Sequence, residues 1–74
     1  LITERQLQVL HAIAKEGAVK EIGSNAFLQK YQLSAYSTVR SAILNLAERE
    51  LLYQKDDGSY IIYDKFFAIW LKEH

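Results

Sequence analysis

The stretch Leu33–Leu52, LSAYSTVRSAILNLAERELL, decides how the rest of the chain can fold. Its apolar residues recur at helical spacing, which predicts an amphipathic helix with Ser34 as its N-cap. The side predicted to face the core comprises Val39, Ala42, Ile43, Leu46 and Glu50, flanked by Tyr36 and Ala47. Since most of these side chains are small or branched, we expect this central helix to pack closely against neighbouring helices.

The residues before the central helix predict a first helix with clear end signals. Thr3 and Gln6 have the spacing of a capping box, so this helix should begin near Glu4. Gly17 is a suitable end, because glycine readily adopts the left-handed conformation that terminates helices. The apolar stripe of this helix should comprise Leu7, Leu10, Ile13 and Ala14, with His11 at its edge.

The region between these two helices predicts a short second helix. Residues 18–22 fit either a brief strand or a connector. Ser24 or Asn25 can cap a helix of about two turns, because both side chains can accept a hydrogen bond from the first helical turn.

The residues after the central helix predict a hairpin and a last helix. Residues 51–55 and 59–63 are typical of strands, and Asp56–Gly58 between them is a hairpin turn signal. Asp64 can cap a helix over residues 65–72. We therefore predict a mainly α fold with a small β-hairpin. This is a winged helix-turn-helix, in which a three-helix bundle is followed by a wing and a C-terminal helix.

The composition fits one small domain and excludes several kinds of site. The chain has 74 residues, half of them hydrophobic, which suffices for a single core. It has no cysteine, so disulfides and thiolate metal ligands are excluded. His11 and His74 lack companions at ligand spacing, so we expect no metal site. No serine has a histidine nearby, and no catalytic residue is predicted.

The chain offers no segment that predicts a membrane or secretory location. The longest apolar run, residues 66–71, is too short to cross a bilayer. The absence of a targeting motif and of cysteine fits a cytoplasmic protein. The chain contains no methionine and opens on Leu1, from which we expect it to be a piece of a longer protein.

The net charge of zero conceals an uneven distribution of charged residues. Residues 20–45 carry a net charge of +2, and residues 46–64 carry a net charge of −3. A dedicated nucleic-acid-binding domain usually has a stronger basic patch. The charge pattern therefore argues against high intrinsic affinity for DNA.

Three groups of residues resemble one known family. They are Phe27-Leu28, Lys30-Tyr31 and Leu33; Ser37, Val39-Arg40, Ala42-Ile43 and Leu46; and Tyr60, Tyr63-Asp64, Phe66-Phe67 and Trp70-Leu71. This pattern resembles the C-terminal winged-helix domain of archaeal-type AAA/STAND P-loop ATPases, found in archaea and Bacteroides-like bacteria. The chain departs from the family in having Gln32 where glycine is usual and Lys65 where proline is usual. The resemblance therefore implies that Gln32 adopts a left-handed conformation at some energetic cost.

The resemblance implies that a nucleotide site lies elsewhere in a larger protein. In that family ATP and Mg²⁺ are bound by an upstream ATPase domain. The sequence GxxxxGK[ST] does not occur in this chain. We therefore expect this segment to hold no cofactor and to be non-catalytic, with its own upstream ATPase domain as one candidate partner.

The outward side of the central helix is the candidate DNA-binding surface. Winged helices can place this side in the major groove of duplex DNA. The candidate DNA-binding residues are Ser37, Thr38, Arg40, Ser41 and Asn45, with Lys55 on the wing. Arg40 is the best of them, because a guanidinium can pair with guanine or phosphate. Against this, Asp56 and Asp57 at the wing tip would repel phosphate.

Two other features point towards a protein partner or towards the core. Leu44 shares the outward side of the central helix and fits a protein interface better than DNA. The large side chains near the end of the chain are predicted mainly to complete the core, because a small domain needs their apolar area. These are Tyr63, Phe66, Phe67 and Trp70. The alternative is that they form a partner-docking surface, since tryptophan and tyrosine often anchor interfaces.

The sequence leaves three functions open. The first is a non-catalytic winged-helix module at the C-terminus of a P-loop ATPase, either regulatory or weakly DNA-binding. The second is a dedicated DNA-binding winged helix like those of transcription regulators. The third is a pure protein-interaction domain. Duplex DNA and the upstream ATPase domain are thus the candidate partners, and neither a membrane nor a metal is expected.

Overall fold

Four helices and one antiparallel hairpin make up the domain, as a computed structural model describing all residues 1–74 shows. The elements are α1 (Glu4–Glu16), α2 (Asn25–Lys30), α3 (Tyr36–Glu48), β1 (Leu52–Gln54), β2 (Tyr60–Ile62) and α4 (Lys65–Glu73). This order confirms the predicted fold class, a mainly helical winged helix-turn-helix with a small hairpin. The central helix of the sequence is α3.

Helix α1 begins and ends where the sequence predicts. The Thr3 hydroxyl accepts from the Gln6 backbone N–H at 3.1 Å, and Gln6 Oε1 accepts from the Thr3 N–H at 3.0 Å. These reciprocal bonds form the capping box. Gly17 ends the helix with φ 85°, a conformation that favours glycine. The buried residues of α1 are Val9, Leu10, Ala12, Ile13 and Ala14, so the core side is wider than predicted and Leu7 lies at its edge.

Helix α3 lacks the predicted cap. The N-cap is Ala35, whose carbonyl accepts from the N–H groups of Thr38 and Val39 at 3.0 and 3.1 Å. Ser34 therefore lies one residue too early, because a capping side chain must occupy the N-cap position itself. The prediction that Ser34 caps this helix is wrong, and no side chain replaces it there.

The ends of α2 and α3 share one hydrogen-bonding pattern. After α2, the Gln32 N–H donates to Gln29 O and the Leu33 N–H donates to Leu28 O. After α3, the corresponding pairs are Glu50 N–H to Ala47 O and Leu51 N–H to Leu46 O. Both are Schellman motifs, which require a left-handed residue just past the helix and usually have glycine there.

Both Schellman motifs use a residue other than glycine. Gln32 has φ 53° and Glu50 has φ 63°. The strained conformation predicted for Gln32 is thus confirmed. The prediction that Glu50 lies on the inner side of the central helix is wrong. Because α3 ends at Glu48, Glu50 leaves the helical path and lies exposed.

The core is built around α1. Helix α3 turns Val39, Ala42, Ile43 and Leu46 inward, as predicted, while its flanking residue Tyr36 is 43% exposed. The other elements contribute Val19, Phe27, Leu52, Ile62 and Leu71 to the same buried cluster. Residues 18–22 act as a connector, with Val19 joined to Tyr60 by an isolated antiparallel bridge.

The hairpin is shorter than predicted by about one residue at each strand end, within the usual uncertainty of such boundaries. Its register pairs Leu52 with Ile62 and Tyr53 with Ile61. Leu52 and Ile62 face the core, so Tyr53 lies on the outer side of the sheet. Gly58 has φ 92°, as the Asp-Gly turn signal predicts.

Helix α4 begins at the predicted cap but exposes most of its aromatic residues. Asp64 Oδ1 accepts from the Phe66 and Phe67 N–H groups at 2.8 and 3.2 Å. Leu71 is fully buried and Phe67 partly buried against α1 and β2.

The prediction that Tyr63, Phe66 and Trp70 complete the core is wrong. These side chains are 64%, 84% and 50% exposed, respectively. Helix α4 can turn only one side towards α1 and β2. Once Leu71 occupies that side, residues such as Phe66 and Trp70 project away from it.

Candidate functional site

The α3 outer face comprises Ser37, Arg40, Ser41, Leu44 and Asn45, all of them exposed. Thr38 lies at its edge and is partly buried, whereas Lys55 is exposed on the turn after β1. The helix therefore brings five of the predicted residues together on one surface. Their chemistry is mostly that of short polar groups, with a single positive charge on Arg40.

Arg40 is held along the helix by Tyr36. Arg40 Nη1 donates to the Tyr36 hydroxyl at 3.2 Å, and the two residues are one helical turn apart. The Tyr36 ring in turn lies against Gly23, where an added Cβ would come within 2.7 Å of Cε1 of the ring. Tyr36 thus orients the arginine. Tyr36 was not predicted from the sequence to contact Arg40. Its position four residues before Arg40 could have indicated the contact, because such residues are neighbours on a helix.

Asn45 is already hydrogen-bonded within the domain. Its Oδ1 accepts from Gln6 Nε2 at 2.9 Å. Gln6 belongs to the capping box of α1, and its Oε1 also lies 3.5 Å from Arg49 Nη1. The Asn45 side chain therefore ties α3 to the start of α1. If Asn45 were to bind a base edge through both its amide oxygen and its amide nitrogen, the hydrogen bond from Gln6 to Asn45 would have to break.

The wing tip has a net negative charge. Asp57 Oδ1 accepts from the Ser59 hydroxyl at 2.7 Å and from the Ser59 N–H at 2.9 Å. These hydrogen bonds lower the pKa of Asp57 below its ordinary value, with the hydroxyl having the larger effect. Asp57 is therefore ionised at neutral pH, and exposed Lys55 lines the same shallow depression as Asp56 and Asp57.

The most apolar exposed surface lies on α4. We call Phe66, Ile69 and Trp70 the α4 stripe; they are 84%, 55% and 50% exposed. They occur at i, i+3 and i+4, so they share one side of the helix. The opposite side packs on the core through Leu71. A helix that is apolar on both sides is usually covered on both sides.

Trp70 is held in place by stacking on its neighbours. Its ring lies 4.8 Å from the His74 ring at an interplanar angle of 11° and 6.3 Å from the Phe67 ring at 17°. His74 Nδ1 also lies 2.9 Å from the Trp70 carbonyl oxygen. These contacts restrict the orientation of the Trp70 ring. A fixed aromatic side chain loses little conformational entropy in an interface.

A charged contact joins α1 to α2 away from these surfaces. Lys30 Nζ lies 2.8 Å from Glu16 Oε2, and the Tyr31 hydroxyl donates to the same oxygen. The hydrogen bonds from Lys30 and then Tyr31 lower the pKa of Glu16. The Glu16 carboxylate in turn raises the pKa of Lys30 and that of Tyr31.

The structure shows no grouping suited to metal binding. No cluster of three or more histidine, cysteine, aspartate or glutamate residues is arranged to hold a metal ion. His11 Nδ1 lies 3.0 Å from the Leu71 carbonyl oxygen and thereby links α1 to α4. None of the four helices has the length and apolar character needed to traverse a bilayer.

Sequence comparison identifies the fold family. A family model described as "Probable winged helix domain" matches residues 1–73. The chain belongs to this family. In winged-helix terms, α2 and α3 form the helix-turn-helix and the β1–β2 hairpin is the wing. Comparisons with curated proteins and with solved structures gave no significant match.

Membership in the winged helix family narrows the function to a class. Winged helix domains commonly bind DNA or act as regulatory modules. The distinction between these two roles depends on the exposed surfaces. In this domain the two main exposed surfaces differ sharply. The α3 outer face is polar with one arginine, whereas the α4 stripe is apolar.

Proposed function

We propose that this winged helix is a non-catalytic regulatory module of a larger P-loop ATPase. In this proposal the α4 stripe docks on another domain of the same protein. The observation that carries the proposal is the double-sided apolar character of α4, with Leu71 fully buried on one side and Phe66 84% exposed on the other. The ATPase context is supported by the resemblance of the chain's ending, Tyr63-Asp64 through Trp70-Leu71, to the corresponding domain of such ATPases.

The electrostatics support a protein partner over DNA. Nucleic-acid affinity comes mainly from lysine and arginine contacts to phosphate. The chain has a formal net charge of zero, and its wing carries Asp56 and Asp57 at the tip. An apolar stripe gains free energy from burial whatever the salt concentration. The α4 stripe is therefore well suited to a protein interface, whereas the α3 outer face is poorly suited to binding DNA.

The test uses the full-length protein and a matched pair of substitutions. Phe66→Asp places a charge in the α4 stripe, and Leu44→Asp places one on the α3 outer face, where leucine is 52% exposed. Burying a phenylalanine contributes about 1.5–3 kcal/mol, so Phe66→Asp should weaken docking about ten- to a hundredfold. Docking is measured by binding of this domain to the separately expressed ATPase domain, together with the ATPase rate of the intact protein.

The two substitutions have different expected outcomes. Leu44→Asp should leave docking and ATPase rate unchanged if the α4 stripe is the interface. Equal effects of both changes would mean that the surface is wrongly assigned. A full-length chain without a GxxxxGK[ST] sequence would remove the ATPase context while leaving the docking surface to be tested against other partners.

Weak binding to duplex DNA is the second candidate function. It is favoured by the exposed position of Ser37, Arg40 and Ser41 on one side of α3. Binding should appear at low salt only, and log K should fall by about 0.9 per phosphate contact for each unit of log salt concentration. Arg40→Ala should reduce that slope by about one contact. Fluorescence anisotropy with a labelled duplex measures both, and an absence of binding at low salt would exclude this function.

A further inference from the structure

The outer side of the hairpin carries two tyrosines that face each other across the strands. Tyr53 pairs with Ile61, so Tyr63 lies two residues farther along the opposite chain. Such diagonal neighbours on one side of a hairpin are within reach of each other when they are aromatic. The two ring centroids are 6.3 Å apart with an interplanar angle of 44°. The two rings are thus neighbours that are tilted relative to each other. Each ring is about half exposed or more.

These rings form two walls of an open cleft at the end of α3. The cleft has a volume of about 260 Å³ and is lined by Ala47, Glu50, Leu52, Tyr53 and Tyr63. We call it the tyrosine cleft. Pockets for whole drug-sized ligands are usually larger, roughly 300–1,000 Å³. The tyrosine cleft is therefore suited to a single side chain.

Glu50 lies at the tyrosine cleft because of the strained end of α3. It occupies the left-handed position of the Schellman motif with φ 63°, where glycine would be favoured. Of all ionisable pairs in the chain, only Lys30 and Glu16 form a salt bridge, so the Glu50 carboxylate is not neutralised by a cation. The end of α3 therefore places a carboxylate without a cationic partner at the lining of the tyrosine cleft.

The other charged groups near the cleft reinforce its preference for a cation. Tyr53 also borders the wing tip, where Asp56 and Asp57 outnumber Lys55. Arg49 precedes Glu50 but is directed elsewhere, since its Nη1 donates to the Leu1 carbonyl at 3.1 Å. The cleft thus combines two π-systems with a local excess of negative charge. Aromatic faces attract cations through their quadrupole, and a carboxylate adds to this attraction.

We propose that the tyrosine cleft binds the ammonium group of a lysine side chain carried by a partner protein. The lysine stem would pack on Ala47 and Leu52, while its ammonium would contact the two rings and Glu50. Charge complementarity selects a cationic side chain over an apolar one. The size of the cleft selects a single extended side chain over a larger ligand. This site is separate from the α4 stripe and does not depend on the ATPase context.

The test measures binding of small probes to the 74-residue chain, which has its own core of 14 buried residues. The probes are N-acetyl-lysine methylamide, its Nζ-trimethylated form, the arginine analogue and the uncharged norleucine analogue. Backbone amide shifts in ¹H–¹⁵N NMR spectra report the binding site and the dissociation constant. Shifts should centre on Glu50, Tyr53 and Tyr63 for both lysine probes. The norleucine analogue should bind more weakly than either lysine probe.

Three substitutions test the contribution of each wall. Tyr53→Leu and Tyr63→Leu should each weaken binding of the lysine probes about two- to fivefold, as expected for loss of one exposed cation–π contact. Glu50→Gln should have an effect of similar size on lysine and none on norleucine. Equal affinity for lysine and norleucine would overturn the proposal, because the cleft would then be merely apolar. Binding of the arginine probe alone would overturn it as well.

A matched pair of glycine substitutions separates binding from stability. Glu50→Gly and Gln32→Gly both relieve a left-handed non-glycine residue, so both should raise the melting temperature. Only Glu50→Gly removes the carboxylate, so only this variant should lose affinity for the lysine probes. If Glu50→Gly binds lysine as well as the unmodified chain does, Glu50 has no role in the cleft and the proposal fails.

Discussion

Helices α3 and α4 both pack on α1, but they present opposite chemistry to the outside. The α3 outer face has hydroxyls, one amide, one guanidinium and one leucine. The α4 stripe consists entirely of Phe66, Ile69 and Trp70. Their inner sides also differ, since α3 buries Val39, Ala42, Ile43 and Leu46, whereas α4 fully buries only Leu71. The comparison teaches that α3, which buries more of its residues in the core, is not the helix that exposes the larger apolar surface, which is α4.

The largest expected difference is between the two sides of α4. Leu71 is fully buried, so Leu71→Ala should lower the free energy of unfolding by about 2–5 kcal/mol. Phe66 is 84% exposed, so Phe66→Ala should change it by less than about 0.5 kcal/mol despite the larger side chain. Urea unfolding of both variants measures this directly. A Phe66→Ala cost similar to that of Leu71→Ala would place the α4 stripe in the core.

A smaller difference is expected between the first turns of the two helices. Asp64 accepts two backbone N–H groups of α4, so Asp64→Ala should cost about 0.5–2 kcal/mol. Ser34 does not occupy the N-cap of α3, where Ala35 lies instead. Ser34→Ala should therefore be nearly neutral. Thermal unfolding of the two variants checks this, and an equal loss would mean that Ser34 caps α3 after all.

Signals confined to a few consecutive residues predicted most of the fold. The capping box of Thr3 and Gln6, the Asp64 cap and the turn at Gly58 all depend on neighbours within a few positions. Their hydrogen bonds are set by local backbone geometry, which the sequence specifies directly. The left-handed conformation of Gln32, by contrast, was expected from the resemblance, because the family usually has glycine at that position.

Contacts between distant residues were not predictable by the same means. Gln6 and Asn45 are 39 positions apart, and nothing in their local patterns indicates a hydrogen bond. Likewise, apolar periodicity marks both sides of α4 but does not say which side meets α1. Packing places Leu71 inward and leaves Phe66 outward. The candidate surfaces therefore depended on tertiary packing, whereas the helices and the hairpin depended mainly on local sequence.

The smallest effect is expected from the exposed charged contact between α1 and α2. Glu16 has a lowered pKa, so its contribution to stability is present above its unfolded-state pKa and is lost as the pH falls through its folded-state pKa. Lys30 and Tyr31 have raised pKa values, so their contribution is lost as the pH rises through those values.

The Glu16→Gln variant should accordingly lose these pH dependences but change the melting temperature little near neutral pH, since exposed ion pairs are weak. Melting temperatures measured from acidic to alkaline pH provide the test, with Gln29→Glu as a control that adds a carboxylate elsewhere on α2. A large loss at neutral pH would show that this contact, rather than apolar packing, holds α2 on the core. In that case an exposed ion pair would stabilise this domain more than is usual for a surface contact.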